Sequence, residues 1–314
     1  MGKVAFIFPG QGSQKVGMGR ALADRYPEAK AVFDQVDSAL GEQLSRLCFE
    51  GPEDALKLTS NTQPAILTVS AAATAVLSAR GVVPDVVAGH SLGEYSALVA
   101  AGAISPADAA KIVRTRGILM QQAVPTGLGA MAAVLGLAPE QVAACCAEVA
   151  AATGKVCAPA NFNEPGQTVI AGDAGAVEVA RAKLMEAGAK KVMPLPVSAP
   201  FHCALMSPVK SPLEAALRGV AWKAPRVPVV TNVEAKPNQD PDRIVSLLVE
   251  QVTSPVRWIE CAQEMVRLGV TRAVEIGPGK VLASLMKRID RSVQVLNVED
   301  DASLESTLQV LRGG

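Results

Sequence analysis

Gly89-His90-Ser91-Leu92-Gly93 fits the pattern G-x-S-x-G, which can set a serine hydroxyl on a sharp turn between a strand and a helix. Five letters recur by chance, so their flanks decide. Val86-Val87-Ala88 reads as a short buried strand, and an Ala-rich helix is expected over 92–101. Such a turn strains and exposes the serine, and its small neighbours let other backbone pass close by. The helix N-terminus directs partial positive charge at an incipient oxyanion. The competing reading is a tight turn with a solvated serine; the context favours a nucleophile that carries an acyl group.

A serine nucleophile needs a base, and the chain has two histidines, His90 and His202. His90 adjoins Ser91, so its side chain is expected to project away from the reacting face. His202 ends Ser198-Ala199-Pro200-Phe201-His202, an irregular stretch able to lie over the end of a parallel sheet, where open α/β folds build sites. It is the candidate base. Cys203 is a rival nucleophile beside a histidine, but adjacent residues rarely face each other. The acids Glu250 and Glu275 both follow His202, outside the order nucleophile, acid, histidine. A main-chain or side-chain carbonyl could hold the imidazole instead, stabilising its cation less than a buried carboxylate would.

These groups need a frame. Val4-Ala5-Phe6-Ile7-Phe8, closed by Pro9-Gly10, reads as a buried parallel strand. Helical spacing runs over 16–47 with interruptions at Pro27 and Gly41. Asn61 is expected to cap a helix with Pro64 in its first turn, continuing to residue 80. Ser105-Pro106 caps the next helix, to about residue 123. The pattern then changes: strand 130–135, helix 139–151, strands 156–162 and 168–171 about a Glu164-Pro165-Gly166 turn, a helix capped by Asp173, and strand 191–195. That βαββαβ order is ferredoxin-like. Afterwards α/β alternation resumes, with helices at 208–218, 242–252 and 259–268 and strands at 227–230, 272–276 and 293–296. The expected fold is α/β, with a large α/β-hydrolase-like domain on a mainly parallel sheet (1–127 and 196–314) and an inserted small ferredoxin-like subdomain (128–195).

The bulk composition excludes several classes of function. The 314 residues are 49% hydrophobic, enough for a sizeable core, and 30 basic residues balance 30 acidic ones. With 3% aromatics, bulk-charge or stacking-based nucleic-acid binding is not expected. The six cysteines form no C-x-x-C pair and suit a reduced compartment. Two histidines and scattered thiols make a poor zinc ligand set, so no metal is expected. No signal peptide or myristoylation signal is read at Met1-Gly2, and the Ala-rich stretch 65–79 is too short to span a bilayer. A cytoplasmic protein without membrane contact is expected.

With these residues placed, the sequence resembles the malonyl-CoA:acyl carrier protein transacylase family over essentially its whole length. The resemblance rests on Phe8-Pro9-Gly10-Gln11-Gly12-Ser13-Gln14, Asn61-Thr62-Gln63-Pro64, Gly89-His90-Ser91-Leu92-Gly93-Glu94-Tyr95, Arg116, the stretch 198–206, Gln251 and Glu275-Ile276-Gly277-Pro278-Gly279. It implies that Ser91 carries a malonyl ester and that His202 is general base and acid. It further implies that Gln251 orients His202, largely through its main-chain carbonyl, and that the Gln11 and Leu92 N–H groups form the oxyanion hole. Arg116 is implied to pair with the free malonyl carboxylate. Malonyl-CoA and holo-acyl carrier protein are the implied partners, no cofactor is needed, and a monomer is expected.

The residues support these roles one by one. Gly10-Gln11-Gly12 can present a backbone donor, and Lys15, standing where a third glycine would be, excludes a dinucleotide fingerprint. Mid-helix arginines are usually solvated, but the Arg116 fork matches a carboxylate, and Arg114 points about 200° away around the helix as a control. Lys190-Lys191, and Lys287-Arg288 with Arg291, are candidate contacts for an acidic carrier. A serine thioesterase or hydrolase is the alternative activity. A catalytically silent CoA- or carrier-binding module is the alternative class.

Overall fold

The computed structural model describes residues 2–197 and 199–313; Met1, Ser198 and Gly314 lie outside the described residues. Among the described residues, ten strands form two sheets. The larger contains β1 (Lys3–Phe8), β2 (Val86–Gly89), β7 (Val229–Val230), β8 (Pro237–Asn238), β9 (Val270–Ile276) and β10 (Gln294–Val298) in the order β10-β9-β1-β2-β7-β8. Its pairings are parallel except for β7 with β8. The smaller contains β3 (Gly129–Leu135), β4 (Cys157–Glu164), β5 (Gln167–Asp173) and β6 (Lys191–Pro194) in the antiparallel order β4-β5-β3-β6. Helices Pro139–Thr153 and Ala174–Glu186 complete the βαββαβ order read from the sequence.

The run Ala5-Phe6-Ile7-Phe8 is fully buried because both faces of β1 are covered. Phe6 and Phe8 point into one apolar layer with Ile66, Val69 and Val113, while Ala5 and Ile7 point into another with Trp258, Met265 and Leu285. Helices Thr59–Ala79 and Pro106–Gln122 build the first layer, and Trp258–Arg267 and Val281–Ile289 the second. A separate small core (Val134, Val142, Ile170, Val177 and Leu184 among its residues) supports the small sheet. Strand β4 of the small sheet is tied to the rest of the fold where Phe162 N–H donates to Val256 O (2.9 Å), Val256 N–H donates to Ala160 O (2.9 Å), and Arg288 meets Glu164 (2.6 Å).

Several expectations change. Tyr26 and Gly41 divide the 16–47 region into helices Arg20–Arg25, Pro27–Leu40 and Leu44–Glu50, with Pro27 opening the second and left-handed Gly41 (φ 67°) closing it. Asn61 is not a cap: the helix enters through Leu58, and the Asn61 amide donates to Ala55 O (2.8 Å) of the preceding turn. Pro64 therefore lies inside the helix rather than in its first turn. By length and hydropathy Thr59–Ala79 could cross a bilayer, contrary to the reading of a stretch too short, but 83% of that window is buried within the protein. Strand 227–230 shrinks to Val229–Val230, and helices Val281–Ile289 and Asp301–Arg312, which the sequence reading left unassigned, cover the β9–β10 edge.

Candidate active site

Ser91 sits between the end of β2 and helix Leu92–Ala100 at φ 54°, ψ −106°, a conformation that costs a non-glycine residue energy. Its neighbours must be small. A Cβ on Gly93 would lie 2.0 Å from Phe8 O, and one on Gly89 would lie 1.9 Å from the Gly93 carbonyl carbon. Asn232 holds the turn: its Oδ1 accepts from Ser91 N–H (2.7 Å) and its Nδ2 donates to Gly89 O (2.6 Å). The Ser91 amide is thus engaged, whereas the Leu92 N–H opens the helix with no intrahelical acceptor.

His202, at φ 58° and only 4% exposed, faces Ser91 from the loop after β6. Its Nε2 is 2.7 Å from Ser91 Oγ, and its Nδ1 is 2.9 Å from Gln251 O, at the end of helix Pro241–Gln251. A carbonyl only accepts, so Nδ1 carries the proton and Nε2 is free to receive one from the serine. Burial first, and the Arg116 charge second, push the imidazole down to about 3, which keeps it neutral. Among the described residues no carboxylate hydrogen-bonds to this ring. Glu250 is on the surface with Lys210 (2.6 Å), and Glu275 accepts from Leu282 N–H (3.0 Å) and Ala283 N–H (2.7 Å), capping a helix.

Arg116 projects from helix Pro106–Gln122 and is 1% exposed. Its guanidinium donates to Gln63 Oε1 (2.7 Å), Gln251 Oε1 (3.0 Å) and Ser91 Oγ (3.1 Å), and lies 5.5 Å from the Tyr95 ring centroid. Among the described residues it forms no salt bridge, and its Nε–H has no acceptor. A buried cation whose hydrogen-bond acceptors are all neutral, beside the Ser91 hydroxyl, is able to pair with an anion. Arg114 instead donates to Ser60 O (2.9 Å) and pairs with Glu42, outside the cavity.

Ser91, His202, Arg116 and Gln63 line a cavity of about 130 Å³ that also exposes Gln11, Leu92 and Met131. A second cavity of about 360 Å³ shares Gln11, His90, Asn161 and Leu195 with it and runs between β3–β6 and Val281. His90 shares the cavity wall but makes no bond to Ser91; its Nε2 meets Asn163 Oδ1 (2.9 Å). The Cys203 thiol is buried, donates to Pro200 O (3.1 Å) and is pushed up to about 11 by burial, so it is no thiolate nucleophile. Of the candidate docking cations, Arg288 is committed to Glu164.

The sequence reading gave no role to Gln63, Glu94 or Asn232. Gln63 and Glu94 stood inside quoted motifs, but Asn232 carried no local signal and reaches the elbow only through the fold.

Residues 5–307 match the acyl transferase domain family. The chain is 46% identical to the malonyl CoA-acyl carrier protein transacylase of Bacillus subtilis (strain 168) over 312 residues, 99% of this chain and 98% of that one. It is also 46% identical to the protein of that name from Escherichia coli (strain K12) over 311 residues, 99% and 100% of the two chains. Among solved structures, an acyl carrier protein S-malonyltransferase from Vibrio cholerae superposes with a TM-score of 0.95 at 48% identity, over 97% of this chain and 99% of that one. A malonyl-transacylase solved in complex with its type II polyketide synthase acyl carrier protein gives 0.95 at 44%, over 99% and 100%. The chain belongs to the malonyl CoA-acyl carrier protein transacylase family.

Proposed function

We propose that this protein moves a malonyl group from malonyl-CoA to the phosphopantetheine thiol of holo-acyl carrier protein through an ester on Ser91, supplying extender units for fatty acid or polyketide assembly. One observation carries the reading: the buried Arg116 guanidinium lies 3.1 Å from the Ser91 hydroxyl and forms no salt bridge among the described residues. A malonyl group is an acyl chain ending in the carboxylate that this cation lacks.

In this reading Ser91 Oγ attacks the thioester carbonyl as its proton passes to His202 Nε2. The Gln11 and Leu92 N–H groups receive the oxyanion while Asn232 keeps the Ser91 amide occupied. The C–S bond breaks and CoA departs with the proton from His202. The carrier thiol then gives its own proton to His202 as its sulfur attacks the ester, and His202 passes that proton to Ser91 Oγ when the C–O bond breaks. Gln251 O stabilises the His202 cation through Nδ1–H. The second cavity suits the pantetheine arm of either thiol, and no cofactor takes part. Residues 1–127 and 196–314 form the domain that bears nucleophile and base, and 128–195 the smaller domain that walls the cavity through Met131 and Asn161. The free thiols suit a cytoplasmic protein, acting as a monomer.

Intact mass after mixing with malonyl-CoA tests the reading. A malonyl adduct on wild type, absent from Ser91→Ala and discharged by holo-carrier protein, is the expected result. Rapid release of free malonate without acceptor would mark a hydrolase, and binding with no adduct a silent module; either refutes the transfer.

A further inference from the structure

Beneath the elbow lies a carboxylate that the reaction does not use. Glu94, on the first turn of the helix that Ser91 opens, is 2% exposed and forms no salt bridge among the described residues. Its Oε2 accepts two hydrogen bonds, from Gln251 Nε2 (2.8 Å) and from Asn232 N–H (3.0 Å). The same Gln251 Nε2 donates to Ser91 O (3.1 Å), and Gln251 Oε1 accepts from Arg116 (3.0 Å). A side-chain amide can sit either way round, and only its surroundings select one. Flipped, this one would turn its NH2 against the guanidinium, donor to donor, and its oxygen against three acceptors: Glu94 Oε2, Ser91 O and Asn232 Oδ1.

We propose that Glu94 is a positioning residue that fixes the Gln251 amide so that its oxygen faces Arg116, and thereby sets the guanidinium for the acyl carboxylate. It rests on the reading of Arg116 as the malonyl partner. The chain of contacts is Glu94 to Gln251 to Arg116, each link a hydrogen bond between buried groups. A second branch runs from Glu94 to the Asn232 main chain, whose side chain clamps the strained Ser91. The branches have different consequences. Losing the first harms a substrate with a carboxylate more than one without, whereas losing the second harms every acyl group alike. Burial pushes the Glu94 carboxyl up to about 7, against the pull of its two donors and of Arg116. Such a costly group is retained where its hydrogen bonds specify an arrangement.

The test compares Ser91 loading from malonyl-CoA and acetyl-CoA by rapid quench and intact mass in wild type, Glu94→Ala, Glu94→Gln and Asn232→Ala. Glu94→Ala should lower the malonyl-over-acetyl ratio of loading rates by about tenfold or more, the effect of losing one hydrogen bond to a charged group. Glu94→Gln keeps an oxygen for both donors and should return the ratio to within about threefold of wild type. Asn232→Ala should slow both acyl groups by the same factor. If Glu94→Ala slows both equally, or Glu94→Gln falls as far as Ala, Glu94 has no part in the discrimination and the proposal is overturned. If the Ala variant does not fold, Glu94→Asp, which withdraws the carboxylate by one methylene, is scored in its place. Wild type that loads both acyl groups equally would instead overturn the malonyl reading, and this inference with it. A preference that survives in every variant removes Glu94 alone.

Discussion

Replacing Arg116 tests the anion-binding reading most directly. Arg116→Met is the perturbation of choice, since alanine would leave a void at a position 1% exposed and confound the result with repacking. In wild type the malonyl carboxylate would enter a buried site and meet the guanidinium. In the variant it must enter the same site unpaired. Removing one member of a buried ion pair costs about 3–5 kcal/mol. At about 1.4 kcal/mol per decade, that is roughly two to three and a half decades in malonyl loading. Acetyl has no carboxylate to strand, so it loses only what Ser91 gains from the 3.1 Å contact with Arg116. Malonyl shares that loss, and it cancels in the ratio. Quenched-flow intact mass, with both thioesters run in parallel, gives the two rates. A ratio within about threefold of wild type in a folded variant would refute the reasoning, because no buried ion pair is that cheap to break. Arg114→Ala is the control: it cuts ties to Ser60 and Glu42, so stability should fall while the ratio stays.

The depressed imidazole predicts that loading at limiting malonyl-CoA has no inflection near 6.5, because His202 stays neutral down to about 3; a loss of rate centred near 6.5 contradicts this. The same depression favours the fold above pH 6.5 and loses that contribution as pH falls toward 3, so His202→Asn should flatten the fall of Tm between pH 7 and 5. Gly93→Ala drives a Cβ against Phe8 O, backbone against backbone, and should cost about 3 kcal/mol or more in urea denaturation; a loss under about 0.5 kcal/mol would show that the elbow can relax. Glu275 has the opposite linkage. Burial raises its carboxyl from 4.5 to about 7, so its contribution is fully present below 4.5 and is lost as pH rises through 7. Glu275→Gln should therefore gain on wild type by about 2–3 kcal/mol between pH 5 and 8, and a pH-independent difference would refute this.

What the sequence alone determined was local. The elbow was legible because glycine, serine and glycine within five residues, flanked by a strand and a helix, satisfy a steric requirement among near neighbours: a side chain on Gly93 would collide with β1. The α/β alternation and the βαββαβ unit were legible because hydrophobic periodicity records which faces are covered. The boundary near Asn61 was misread because a good capping residue competes with the preceding turn, and Ala55 O takes the Asn61 amide. Only the tertiary structure decided what surrounds the serine. Asn232 reaches Ser91 across 141 positions and Gln251 reaches Glu94 across 157, separations over which no periodicity or motif spacing constrains geometry. The same holds for electrostatics. Nothing in Val113-Arg114-Thr115-Arg116-Gly117 says which arginine is buried. Helix packing turns Arg116 inward, without a salt bridge among the described residues but within 3.1 Å of the Ser91 hydroxyl, and leaves Arg114 outside the cavity. A charge acquires its meaning from the water and counter-ions it has lost, and those are properties of the folded chain.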